Sequence, residues 1–174
     1  MSGIREATSA VDGSGKRFAV AASRFHESIV DRLVEGAVAC LVEHGVDRGD
    51  VTVVRVPGAW ELPLALDELA AAGGWDGLVA LGAVVRGETP HFDYVCAEAS
   101  RGIARVSAER RLPVGFGLLT CDTVEQAEAR AGGVAGDKGR EAALAALEMA
   151  ELTARLRSSG GSRERASRAG EGGR

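Results

Sequence analysis

Aromatic residues make up only 4% of these 174 residues, and the three cysteines form no CxxC pair or Cys/His cluster. Cys40, Cys96 and Cys121 therefore exclude a zinc-ribbon or redox-motif reading. An odd set of scattered thiols also suits a reducing compartment better than a secreted disulfide scaffold. Charge of one sign is not in excess: the formal net charge is −4, which gives no electrostatic reason to expect a nucleic-acid or membrane-surface partner. No window approaches the roughly 18 uninterrupted apolar residues of a membrane span. The first fifteen residues hold no apolar stretch of signal-peptide length. Also missing are a GxGxxG after the first strand-like run, a P-loop and a GxSxG elbow. Together these absences lead to an expectation of a soluble, cytoplasmic protein without a metal or nucleotide motif.

What remains has the size of one ordinary domain with a real core. Residues 1–15 are small and polar and read as a flexible arm. Residues 158–174 (SSGGSRERASRAGEGGR) have no apolar side chain beyond alanine, so burial cannot offset their ordering entropy and disorder is expected. Residues 16–157 then form the domain. Within it, strand-like and helix-like runs alternate. FAVAA at 18–22 precedes apolar positions from Ile29 to Leu41 at helical spacing, which stop at Gly45. VTVVRV at 51–56 is a β-branched strand, followed by a Pro57-Gly58 turn and a helix through Leu62, Leu66 and Leu69. LVALGAVV at 78–85 precedes a long helix from about Pro90 to Arg111. VGFGLL at 114–119 precedes a short helix with capping signals at Asp122 and Thr123, and an alanine- and leucine-rich helix runs from about Lys138 to Leu156. Four strands each followed by a helix imply parallel pairing with right-handed crossovers. The expected fold is a flavodoxin-like three-layer α/β/α sandwich with a four-stranded parallel sheet.

Ligands in such sheets bind beyond the carboxyl ends of the strands. Here those ends carry residues 23–26, 57–61, 86–91 and 120–123, and they collect two of the three histidines, one of the two tryptophans and one of the four phenylalanines. In the third segment, Gly87 permits close approach of the backbone, while Thr89 and Pro90 fit an N-cap and first helical position. His91 would stand beside any anion held at that helix end, where an imidazole can move protons near neutrality. Taken singly, each residue also has a plainer reading. His91 could pack in an ordinary capped helix, Phe25 could be a core side chain at a strand end, Trp60 could pack, and Glu61 and Arg130 could be solvated. In the ligand reading, Phe25 stacks on a flat heterocycle, Glu61 accepts hydrogen bonds and Arg130 clamps a phosphate.

The blocks SRFHESIVDRLVEGA, VPGAWELPLAL, LGAVVRGETPHFDYVC, PVGFGLLTCDTVEQAEARAG and DKGREAALAALEMA, in that order, resemble the lumazine synthase family over roughly residues 16–156. The resemblance implies that Phe25 stacks on the pyrimidine of 5-amino-6-(ribitylamino)uracil and that Ala59, Trp60 and Glu61 hold its ribityl chain and part of the ring. It implies that the backbone of Ala83, Val84 and Val85 pairs with the pyrimidine edge. Gly87, Glu88, Thr89, Arg130 and Lys138 would surround the phosphate of 3,4-dihydroxy-2-butanone 4-phosphate, with His91 as the proton-transfer residue. Phe116 matches a residue that reaches the site from an adjacent subunit, and Arg130 is placed to do the same. No metal or cofactor is implied. Departures are His26 where asparagine is common, Pro90 where threonine is common and Val134 where lysine is common.

The same resemblance implies a homo-oligomer of pentamers. Lys138 follows Arg130 by eight positions, a compact loop similar to that of members that close twelve pentamers into a hollow icosahedral shell, which can enclose riboflavin synthase. A non-catalytic flavin- or pteridine-binding module and a purely structural shell protein are the rival classes. The intact Arg-Gly-Glu-Thr-Pro-His segment speaks against both.

Overall fold

The structure, a computed structural model, describes the backbone of residues 11–171 and the side chains of residues 11–159. Four parallel strands form its centre: β1 (Phe18–Ser23), β2 (Val51–Val56), β3 (Gly77–Val85) and β4 (Val114–Cys121), in spatial order β2-β1-β3-β4. Helices α1 (Glu27–Glu43), α2 (Leu62–Ala72), α3 (His91–Arg110), α4 (Val124–Arg130) and α5 (Lys138–Glu171) make the connections and the cover. The α/β architecture with a four-stranded parallel sheet flanked by helices is thus as expected. The period-two alternation of strand side chains decides which core each residue enters. Phe18, Val20 and Ala22 point into a larger core with α1 and α5, whereas Ala19 and Ala21 point into a smaller one with α2 and α3.

Small residues let α5 lie close. A Cβ on Gly115 would collide with the backbone carbonyl of Ala142, and one on Gly139 with that of Leu33. β2 departs from the expected continuous burial: Thr52, Val53 and Arg55 are exposed because it is an edge strand with one neighbour.

Strand register positions the site. β1 pairs with β3 only as far as Ala22 opposite Leu81, while β3 continues alongside β4 to Val85 opposite Cys121. The backbone of Ala83–Val85 is therefore paired on its β4 side but runs past the end of β1 on the other. The chain runs β1 to β2 in one direction and β3 to β4 in the other, so the junction of β1 with β3 is the topological switch point where such sheets open a crevice.

Three expectations need correction. The arm expected to be flexible through residue 15 is shorter, since residues 11–15 are fastened to the turn after α1: Gly13 N–H donates to the His44 carbonyl at 2.7 Å, and Val11 packs on the larger core. Residues 1–10 of that arm lie outside the described residues. The helix expected to end near Leu156 continues as Lys138–Glu171, into the stretch that begins at residue 158. Ser158 and Ser159 hydroxyls both donate to the Arg155 carbonyl at 2.8 Å. A helix already nucleated by packed residues extends without a second nucleation penalty, which composition alone does not register. Residues 172–174 lie outside the described residues. Thr89 is not an N-cap: α3 starts one residue later, with Pro90 in that position and no side-chain cap. The compact loop 131–137 contains a small antiparallel hairpin, β5 (Ala131–Gly133) and β6 (Gly136–Asp137), whose Gly132 and Gly136 take positive φ values of 80° and 92°.

Candidate active site

A cleft of about 310 Å³ opens at the β1/β3 junction. Phe25 and His26 enter from the β1–α1 turn, and Gly58, Ala59 and Trp60 from the turn before α2. Ala83, Val84 and Val85 form the projecting end of β3, while Gly87, Thr89, His91, Phe92 and Val95 come from the start of α3. Nine residues expected from the sequence are thereby brought together: Phe25, Ala59, Trp60, Ala83, Val84, Val85, Gly87, Thr89 and His91. Phe25 and Trp60 are 68% and 58% exposed, so the core reading of both fails and their flat faces remain open for contact.

Each turn has a local cause. His26 adopts the left-handed conformation at φ 56°, ψ 48°, and the N–H groups of Ile29 and Val30 bond back to its carbonyl to start α1. Asparagine and histidine are among the side chains that tolerate this region, which accounts for a histidine where asparagine is common. Glu61 folds its own loop: its Oε2 accepts the Gly58 N–H at 2.8 Å. It also borders a neighbouring recess with Trp60, His91, Tyr94 and Val95, so one carboxylate serves both turn and site margin. Pro90 offers no side-chain acceptor, and the first turn of α3 closes through Asp93 N–H to the Pro90 carbonyl at 3.0 Å. Glu88 is exposed between two cleft residues.

Three expected residues do not reach this cleft within one chain. Phe116 is half-exposed in the middle of β4, five residues and about 16 Å short of the ligand edge. It borders a separate groove between β4 and α5 together with Lys138. Lys138 is paired with Glu141 at 2.6 Å. Arg130 ends α4, where its Nη1 donates to the Gln126 carbonyl at 2.9 Å.

The helical spacing puts Phe92 and Val95 on the buried side of α3; both are half-buried and also line the cleft, while Arg86 has no role in the sequence reading. Arg86 bonds Asp122 at 2.8 Å and Asp93 at 3.1 Å, and those hydrogen bonds raise its already high pKa, Asp122 contributing most. A signal for this pairing existed. Val85 and Cys121 are register partners, so the residues after them, Arg86 and Asp122, leave the sheet side by side. Burial raises the thiol pKa of both Cys96 and Cys121, which makes them poor nucleophiles. Among the described residues no three His, Cys, Asp or Glu side chains gather as a metal site, and no helix is long and apolar enough to cross a membrane.

Comparison with known proteins gives the family. The sequence profile of 6,7-dimethyl-8-ribityllumazine synthase matches residues 15–154. A protein of that name from Desulfovibrio desulfuricans is 55% identical over 156 residues, 90% of this chain and 100% of the relative. One from Aquifex aeolicus is 54% identical over 143 residues, 82% of this chain and 93% of the relative. Another from Lawsonia intracellularis is 52% identical over 137 residues, 79% and 87% of the two chains. With a cleft built from all three upstream loops and a family match over most of its length, this chain belongs to the 6,7-dimethyl-8-ribityllumazine synthase family and is an enzyme of the transferase kind.

Proposed function

We propose that the chain condenses 5-amino-6-(D-ribitylamino)uracil with 3,4-dihydroxy-2-butanone 4-phosphate, giving 6,7-dimethyl-8-ribityllumazine, phosphate and two waters, in riboflavin biosynthesis. The observation that carries this reading is the convergence of an exposed Phe25, Trp60 and His91 on one cleft beside a stretch of β3 backbone that is free on its β1 side. The uracil stacks on Phe25 and pairs its edge with Ala83–Val85, as an added strand would. Its ribityl chain runs past Ala59, Trp60 and Glu61. The sugar phosphate sits at Gly87, Glu88 and Thr89, where the uncapped start of α3 directs N–H groups outward.

The 5-amino group then attacks the ketone and water leaves to form an imine. Elimination expels phosphate, and the ribityl-bearing amine closes the second ring with loss of another water. His91 shuttles protons among nitrogen, carbon and oxygen in these steps. Holding two substrates in reacting geometry supplies much of the rate.

The distance of Phe116 from its own cleft and its half-exposed ring favour a homo-pentamer in which Phe116, Arg130 and Lys138 complete a neighbour's site. The short hairpin at 131–137 favours closure of twelve pentamers into a hollow shell, with riboflavin synthase as an enclosed partner and the cytoplasm as the compartment.

The test is to mix purified protein with both substrates and follow lumazine absorbance and fluorescence. Wild type should form product, His91→Ala should lower kcat by about tenfold or more, and Arg130→Ala should recover at high sugar phosphate. No enzyme-dependent product from folded wild type would overturn the reading.

A further inference from the structure

Arg86 lies outside the cleft lining yet joins the start of α3, which borders the cleft, to the turn after β4. Its Nε donates to Asp122 Oδ1 at 2.8 Å, and its Nη1 reaches Asp93 Oδ1 and Oδ2 at 3.1 and 3.3 Å. The guanidinium carbon stands 4.2 Å from the centroid of the Phe92 ring. Its own backbone N–H extends the sheet ladder by donating to the Cys121 carbonyl at 2.9 Å. Beyond Asp122 the connections continue: Asp122 N–H donates to Gln126 Oε1, and the Gln126 carbonyl accepts from Arg130, both at 2.9 Å.

We propose that Arg86 is a positioning residue that sets His91 and the 87–89 loop for the condensation; this rests on the reaction given under Proposed function. His91 is followed directly by Phe92 and Asp93, the two residues on which the guanidinium lies. Pro90 gives the start of α3 no side-chain anchor, so the tie of that first turn to the sheet end runs through Asp93 and Arg86. Two donors aimed at carboxylates on different elements, with a ring beneath the plane, require a planar fork; an ammonium cannot reproduce it. Two carboxylates already neutralise the cation, which sets Arg86 apart from an anion ligand. The pairs are roughly half-exposed and contribute little to global stability, so what they supply is geometry.

The full-length protein is tested as Arg86→Gln, Arg86→Lys, Asp122→Asn and the Arg86→Gln/Asp122→Asn double variant. All should keep wild-type assembly and nearly wild-type melting. Arg86→Gln and Arg86→Lys should both lower kcat by about tenfold or more, as misplacement of a reacting group does. KM for the pyrimidine should hold, and the double variant should be little worse than Arg86→Gln alone. Hydrogen exchange of the 86–95 backbone without substrates should speed up in Arg86→Gln, a readout independent of turnover. Unchanged kcat and exchange, full rescue by Arg86→Lys, or a rise in KM for the sugar phosphate at constant kcat would overturn the proposal, the last making Arg86 a phosphate ligand. Inactive wild type with faster exchange in the variant would instead overturn the reaction and leave the positioning intact.

Discussion

The rings of Phe25 and His26 meet edge to face, their centroids 5.1 Å apart and their planes at 90°. Adjacent residues rarely achieve this in a regular helix or strand. Here it follows from the left-handed backbone of His26, which turns its side chain back toward Phe25 at the mouth of the cleft.

His26→Asn separates backbone from ring. Asparagine also accepts the left-handed conformation, so stability should stay near wild type. Loss of the edge-to-face neighbour frees the Phe25 ring to move, which should raise KM for the pyrimidine a few-fold and leave kcat nearly unchanged. His26→Ala should add a destabilisation of about 1–2 kcal/mol, read by denaturant unfolding. Equal stability of the two variants would show that the backbone conformation carries no strain for alanine.

Gly115→Ala and Gly139→Ala should each destabilise the fold by about 1–3 kcal/mol or more. In both cases the added methyl meets main-chain carbonyl of a packed element, which cannot step aside as a flexible side chain would. Chemical denaturation measures this directly, with Gly87→Ala as control, since a Cβ there meets open space. Wild-type midpoints for the first two would contradict the close approach of α5.

Asp67 and Arg110 make a two-pronged contact at 2.7 and 2.8 Å between α2 and α3. The hydrogen bond from Arg110 holds the Asp67 carboxyl below its ordinary value of 3.8. A lowered folded-state pKa means that the unfolded chain binds the proton more readily. The stabilisation is therefore present above about pH 4 and disappears as pH falls through the lowered value. Asp67→Asn should be less stable than wild type at pH 7 and indistinguishable from it at strongly acid pH. A gap between them that persists at the acid end would assign the loss to packing, not to the charge.

Element order was legible because buried parallel strands carry continuous apolar runs, as in residues 78–85, and helices carry a period, as from Ile29 to Leu41. The cleft was legible as well, since topology alone sends residues 25, 60 and 91 to one edge. Cap detail was not: Thr89 before Pro90 satisfies the pattern, but the helix begins where backbone hydrogen bonding begins. The role of Arg86 is not legible in the sequence, because ion pairs between turns depend on register, which hydrophobic patterning does not specify to the residue. Phe116 shows a different limit. Its position on β4 is explicit in the sequence, yet whether an exposed ring serves its own cleft depends on distance along the strand.

The sheet separates two layers of unequal depth, and the cleft is rooted in both. Phe25 and His26 open α1, which belongs to the deeper layer, whereas Trp60 and His91 lead into α2 and α3 on the shallower one. A molecule lodged between them acts as a rivet through the end of the sheet. Its binding free energy favours the state in which both layers are in place. Conversely, partial loosening of the α2–α3 side removes half the cleft while the α1–α5 side stays folded. Occupancy and local order in this protein are thus two readings of one equilibrium.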